Sequence, residues 1–301
     1  MNELKSNNRL KGRLSLFITT LMWGSSFVVL KNTLDSITTL YVLAFRFTIA
    51  AVIFFFVAFE ELKKLDKKAL LGGVIMGAAL FCAYVVQTFG LVYTSPGKNA
   101  FLTTAQCLIV PFLFWAMGGK RPDRFNIIAA VMCLVGIGLV SLDGDLKMGI
   151  GELLTVLSGF FYALHIVITS QTIEGRSIPA LIFVQFAVVA ALSWVFAIPL
   201  EPFPTNIPPS ALYGIGYLSI GCTAVCFLFQ TIGQKYTPPS EASVLLTMES
   251  VFGVIISMLF YKEVLTLRLF LGFAIMFSAV LISETKLSFL RRKKLEAEAG
   301  V

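Results

Sequence analysis

Apolar residues come along this chain in ten long runs, at about 14–31, 37–59, 69–91, 97–118, 125–141, 149–170, 178–199, 209–232, 239–260 and 266–284. Most reach the ~20 residues a helix needs to cross about 30 Å of hydrocarbon. The short alternating segments of a membrane barrel are absent. The pattern predicts an all-α integral membrane protein of ten transmembrane helices, with no room in the connections for a soluble domain. A basic head precedes the first run without a small-residue cleavage site, so that run is expected to be a retained helix.

The runs repeat. Residues 87–104 spell QTFGLVYTSPGKNAFLTT and residues 230–247 spell QTIGQKYTPPSEASVLLT. At a constant offset of 143, eight of eighteen positions are identical, among them Gln87/Gln230, Gly90/Gly233, Tyr93/Tyr236 and Pro96/Pro239. The first two runs match the sixth and seventh at an offset near 139, and the proline-rich stretch 201–210 can hold the four extra residues. This divides the chain into a five-helix repeat at 14–141, a second at 149–284 and a charged cytoplasmic tail at 285–301, with the link DGDLKMG between the repeats. An odd number of spans turns the second copy over, and inverted repeats are a recurring mark of secondary transporters.

Polar residues inside the runs fall on one another in this alignment. Trp23 aligns with Tyr162, Ser26 with His165, Arg46 with Gln185, Gln87 with Gln230, and Gln106 with Glu249. Thr19, Trp23 and Ser26 lie at i, i+4 and i+7 on one helix face; Ser158, Tyr162, His165 and Thr169 repeat that stripe, as do Asn99, Thr103 and Gln106. A polar stripe in lipid must face protein or water. Several stripes about a pseudo-twofold axis predict a central wet cavity. Runs five and ten are almost wholly apolar or small, with Gly136 and Gly138 in the fifth. They are expected to pack the halves together as outer helices, or to form a homodimer surface.

Composition excludes a soluble protein. Hydrophobic residues make up 57% and charged ones 14%, against roughly 25% charge in soluble domains. With the N-terminus inside, cytoplasmic segments carry eighteen Lys and Arg and the other side five, so both termini are expected in the cytoplasm. The net charge of +7 is then an orientation signal and gives no reason to expect nucleic acid. The expected setting is the plasma or inner membrane of a bacterial cell, with lipid as the surrounding partner. Cys82, Cys107, Cys133, Cys222 and Cys226 all fall in runs and are expected to be packing residues. No metal-ligand spacing or ATP-binding loop appears, so no cofactor and no enzymatic activity are expected.

Arg46 sits mid-run, where insertion costs on the order of 2.5–3.5 kcal/mol. It is a candidate anchor for a carboxylate or phosphate, or a structural partner of Glu249 or of backbone carbonyls. Glu249 is a candidate proton acceptor, ammonium partner or counter-charge to Arg46. His165, the single histidine, is read as lining the cavity or as a packing group. Gln87 and Gln230 can donate and accept, which suits polar cargo or interhelical bonding; Gln106, Gln185, Asn99 and Ser26 complete the polar set, with Trp23 and Tyr162 as walls or gates. The TSPG and TPPS turns put proline at helix starts.

Several stretches resemble the EamA family of the drug/metabolite transporter superfamily. They are WGSSFV at 23–28, AFRF at 44–47, SPGKNAFLTT at 95–104, VPFL at 110–113 and MESVFGVIISMLFYKE at 248–263. The resemblance covers about 14–284. It implies ten helices as two inverted EamA repeats, a central cavity from spans 1–4 and 6–9, and export or exchange of small metabolites, often amino acids. Where that family often has Glu-Pro in the ninth span this chain has Glu249-Ser250, and where it has Gly-Glu after spans four and nine this chain has Gly119-Lys120 and Lys262-Glu263. The function expected is a secondary transporter of small polar metabolites working by alternating access; the alternative is an uncoupled facilitator or channel.

Overall fold

The computed structural model describes residues 2–141, 148–173, 175–236 and 239–286. Most of the DGDLKMG link, Thr237 and Pro238 of the second turn, and the tail beyond residue 286 lie outside the described residues.

The described chain is helical and contains no β-sheet. The first half holds α1 (Asn2–Leu34), α2 (Thr39–Val57), the single turn α3 (Phe59–Leu62), α4 (Lys67–Val92), α5 (Pro96–Thr103), α6 (Gln106–Ala116) and α7 (Arg124–Ser141). The second holds α8 (Ile150–Thr172), α9 (Ile178–Leu200), α10 (Pro209–Gly216), a π-helical segment (Tyr217–Val225), α11 (Cys226–Tyr236), α12 (Pro239–Phe260) and α13 (Leu267–Thr285). Among the described residues, eight stretches are long and apolar enough to cross a membrane; the apolar parts of α12 and α13, Met248–Phe260 and Leu267–Ser283, are shorter.

Two runs are less regular than their hydropathy predicts. The fourth breaks at Thr104 and Ala105, whose amides bond three residues back to Phe101 and Leu102. The break sets Gln106 at the start of α6, and Pro111 then removes a further amide donor inside that helix. The eighth run widens into the π segment, where Cys226 N–H donates to Gly221 O, five residues back.

Helix contacts come in matched couples. α1 packs on α12 as α8 packs on α5 and α6; α4 packs on α8 as α11 packs on α1; α2 meets α9 and α7 meets α13. Glycines permit the closest of these. A Cβ on Gly90 would come within 3.0 Å of Gly151 O, and one on Gly233 within 3.2 Å of Gly12 O. These are the same crossing twice, since both members are related by the repeat offsets. Between α2 and α9, Phe47 and Phe186 bury their rings completely and carry the central apolar cluster with Phe54, Phe81 and Phe227.

Both ends of the bundle are then defined by what the helices begin and finish with. One end gathers Lys63, Lys64, Lys67, Lys68, Lys120, Arg121, Arg124 and Arg176 and is here the basic end. The opposite end gathers the C-termini of α1, α4 and α12 with the N-termini of α2, α5 and α8.

Candidate functional site

A cavity of about 740 Å³ lies between the halves, with polar residues in its wall and a mouth at the basic end formed by Lys120, Arg121, Pro122 and Lys286. Nine of the eleven residues singled out from sequence line it: Trp23 and Ser26 on α1, Arg46 on α2, Gln87 on α4, Gln106 on α6, Tyr162 and His165 on α8, Gln230 on α11 and Glu249 on α12. Asn99 and Gln185 stand one layer back. Asn99 is fully buried and donates to Thr155 Oγ1 at 2.7 Å and to Gln87 O at 3.3 Å. Gln185 places Oε1 2.9 Å from His165 Nε2.

Arg46 is only 2% exposed. Its Nε donates to Thr223 Oγ1 at 2.6 Å, and its Nη2 makes longer contacts with Tyr84 Oη at 3.4 Å and Cys222 O at 3.5 Å. The guanidinium also lies 4.8 Å from the centre of the Tyr84 ring, an arrangement favoured by the ring quadrupole. Every one of these partners is neutral. Among the described residues, Glu249 has no hydrogen-bond or ion-pair partner, although it lines the same cavity. Arg46 and Glu249 thus line one cavity with no hydrogen bond or ion pair between them, and Arg46 acts on Glu249 only through space.

The wall is tied across the halves. Tyr162 Oη donates to Gln87 Oε1 at 2.7 Å, and Gln87 Nε2 donates to Thr103 Oγ1 at 3.0 Å. Trp23 Nε1 donates to Cys222 O at 2.8 Å. Both glutamine hydrogen-bonding groups of Gln87 are thus occupied by protein, which makes it a wall brace.

At the opposite end the cavity stops at Leu30 and Ala100, and the chain is fastened beyond them. Lys98 Nζ lies 3.1 Å from Glu152 Oε1, which also accepts from Thr94 Oγ1 at 3.0 Å. Glu263 accepts from Ser95 Oγ, from Gly97 N at 3.0 Å and from Ser257 Oγ at 2.6 Å. It caps α5 from outside its own half, where the helix N-terminus favours a carboxylate. Glu201 caps α2 in the same manner, accepting from Leu40 N at 2.9 Å. Lys31 Nζ donates to Leu91 O at 2.6 Å and Val92 O at 2.8 Å, the last carbonyls of α4.

Sequence reasoning missed Thr223, Tyr84 and the acidic caps as working groups. At the offset of 143, Thr223 pairs with Leu80 and Tyr84 with Phe227, so no matched polar pair draws attention to them. Glu263 carried one signal, the Lys262-Glu263 pair at the Gly-Glu position.

Comparison with known proteins agrees with this geometry. The model of the EamA-like transporter family matches residues 10–142 and again 149–285. An uncharacterized transporter of Archaeoglobus fulgidus is 29% identical over 279 residues, covering 91% of this chain and 86% of that protein. The uncharacterized transporter YoaV of Bacillus subtilis is 23% identical over 295 residues, 94% of this chain and 99% of its own length. An S-adenosylmethionine/S-adenosylhomocysteine transporter of Chlamydia muridarum is 25% identical over 243 residues, 74% of this chain and 76% of that protein. A protein of known crystal structure shares the fold with a TM-score of 0.65 at 17% identity, over 90% of this chain and 96% of its own. With both repeats matched and the cavity between them, this chain belongs to the EamA-like transporter family and is an integral membrane transporter.

Proposed function

We propose that the chain is a secondary transporter that exports or exchanges zwitterionic metabolites of the amino-acid kind by alternating access. The observation that carries this is that one basic and one acidic side chain, Arg46 and Glu249, line the same cavity without contacting each other. A cargo carboxylate would lie on the free end of the Arg46 guanidinium and a cargo cation on Glu249. Trp23, Tyr162 and Phe227 offer apolar faces between them, and Gln106 and Gln230 offer amides to polar groups. The volume, about 740 Å³, is that of a site for a drug-sized molecule. The named cargo of the Chlamydia muridarum relative carries an amino-acid end and a large aromatic end, which is the chemistry this wall suits.

The proposal takes the ten helices as membrane spans, the two halves as inverted repeats at 14–141 and 149–284, and both termini as cytoplasmic. The excess of Lys and Arg at the basic end supports that orientation. The cavity then faces the cytoplasm, and the fastened end faces outward. Rocking of one half against the other would close the mouth and release the outer contacts.

The test is mass spectrometry of the medium from cells expressing the intact chain, Arg46→Ala or Glu249→Gln at equal membrane levels. Amino-acid-type solutes are expected to accumulate with the intact chain alone. Equal media would overturn the reading. A facilitator is the second reading, and concentrative transport under an imposed pH gradient in proteoliposomes separates it from a coupled carrier.

A further inference from the structure

We propose that Thr223 is a positioning residue for Arg46, and that the π-helical segment exists to place it. The inference rests on the reading of Arg46 as the cargo anchor. The Thr223 hydroxyl has two partners. It donates to Leu218 O, five residues back, at 2.8 Å, and it accepts from Arg46 Nε at 2.6 Å. A hydroxyl carries one proton and two lone pairs, so donating into the helix leaves its oxygen for the guanidinium. The wide turn that puts Leu218 O within reach is the π segment itself.

The same turn supplies a second acceptor. Cys226 N–H bonds to Gly221 O, and the Cys222 carbonyl receives Trp23 Nε1 and Arg46 Nη2 instead. The Nε and Nη2 edge of the guanidinium is therefore held by protein. Among the described residues Nη1 has no partner, and Arg46 lines the cavity. Thr223 thus fixes which edge of the fork is presented to cargo. Because its oxygen is neutral, it holds the arginine without cancelling its charge. An acidic residue at this place would hold Arg46 as firmly and compete with the cargo anion. Local π turns inside α-helices are found preferentially at functional sites, and this one touches the only arginine placed within the cavity's mid-depth wall among the described residues.

The experiment uses the full chain in proteoliposomes, with an isotope-labelled mixture of the protein amino acids and S-adenosylmethionine as probe. Intact protein, Arg46→Ala, Thr223→Val and Thr223→Ser are compared at equal reconstituted amounts. Thr223→Val keeps the shape and loses the hydroxyl. It is expected to raise KM for the transported probe by about tenfold, the effect of one hydrogen bond to a charged group, with Vmax little changed. Thr223→Ser is expected to stay within about twofold. A purely structural role would lower Tm and leave KM alone in both, which overturns the proposal. Normal KM in Thr223→Val with inactive Arg46→Ala overturns this inference and spares the cargo reading. Normal transport by Arg46→Ala, or no transport of any probe by the intact chain, removes the cargo reading and this inference with it. Should Thr223→Val fail to reconstitute, Thr223→Cys keeps a weaker acceptor of similar size; a smaller rise in KM supports the proposal and an unchanged KM overturns it.

Discussion

Phe47 and Phe186 occupy the same place in the two copies of the repeat, 139 residues apart, and their rings meet edge to face with centroids 5.5 Å apart. A residue in contact with its own image marks the axis about which the halves are related. Both rings are fully buried. Replacing either by Ala is expected to cost about 3 kcal/mol, read as a lower midpoint of unfolding in detergent. The double variant should cost less than the two together by about 1 kcal/mol, since each loses the other as a partner. Additive losses would mean that the rings do not depend on one another.

Lys98 and Glu152 join the halves at the opposite end, as does Glu263 on Ser95 and Gly97. Glu263→Gln keeps the shape and weakens the cap on α5. It should let that end open more often. In a background without native cysteines, a Ser26→Cys reporter inside the cavity is expected to react several-fold faster with a polar thiol reagent supplied from that side. An unchanged labelling rate would show that the caps do not hold the closed state.

Lys262 has φ 56°, in the left-handed region that favours glycine. The strain on a residue with a Cβ is about 1 kcal/mol, offset in part by the greater freedom of glycine in the unfolded chain. Lys262→Gly is expected to raise thermal stability slightly and leave the Glu263 cap in place. A fall in Tm would contradict this account of the turn.

Asp123 gives a pH prediction at the basic end. Its carboxylate lies 2.5 Å from Lys286 Nζ, and it accepts from the Phe125 and Asn126 amides at the start of α7. The Lys286 hydrogen bond, aided by those amides, holds its pKa below the ordinary range. A depressed pKa in the folded state contributes stability above the unfolded value near pH 4, lost as pH falls through the lower folded value. The pair is largely exposed, so the contribution should be under about 1 kcal/mol. Asp123→Asn should lower stability by up to that amount at neutral pH and leave it unchanged below the folded pKa, so that the curve is flatter between; an equal loss at every pH would point to another cause.

Hydropathy and the repeat made the helical class and the cavity residues legible, because a lipid-embedded helix betrays each polar group it carries. Arg46, Gln87 and Glu249 were visible in this way. Three things were not. The break at Thr104 and Ala105 has no glycine or proline to announce it. The π segment changes the helix by a fraction of a turn, below what periodicity resolves, so Thr223 looked like one more small residue. Glu152, Lys98 and Glu263 sit at helix ends, where charge is ordinary, and only the fold brings them together across the halves.

Arg46 and Glu249 also fix how the site would respond to voltage. On the proposed reading, and with Glu249 ionised, their charges sum to zero and a zwitterion bound between them adds none. Turning such a site from one face of the membrane to the other does no electrical work, whereas a single net charge would gain or lose about 2.3 kcal/mol per 100 mV. Membrane voltage alone would then leave the balance point of such a carrier where it was, and only the concentration ratios of its cargo and of any coupled ion would move it.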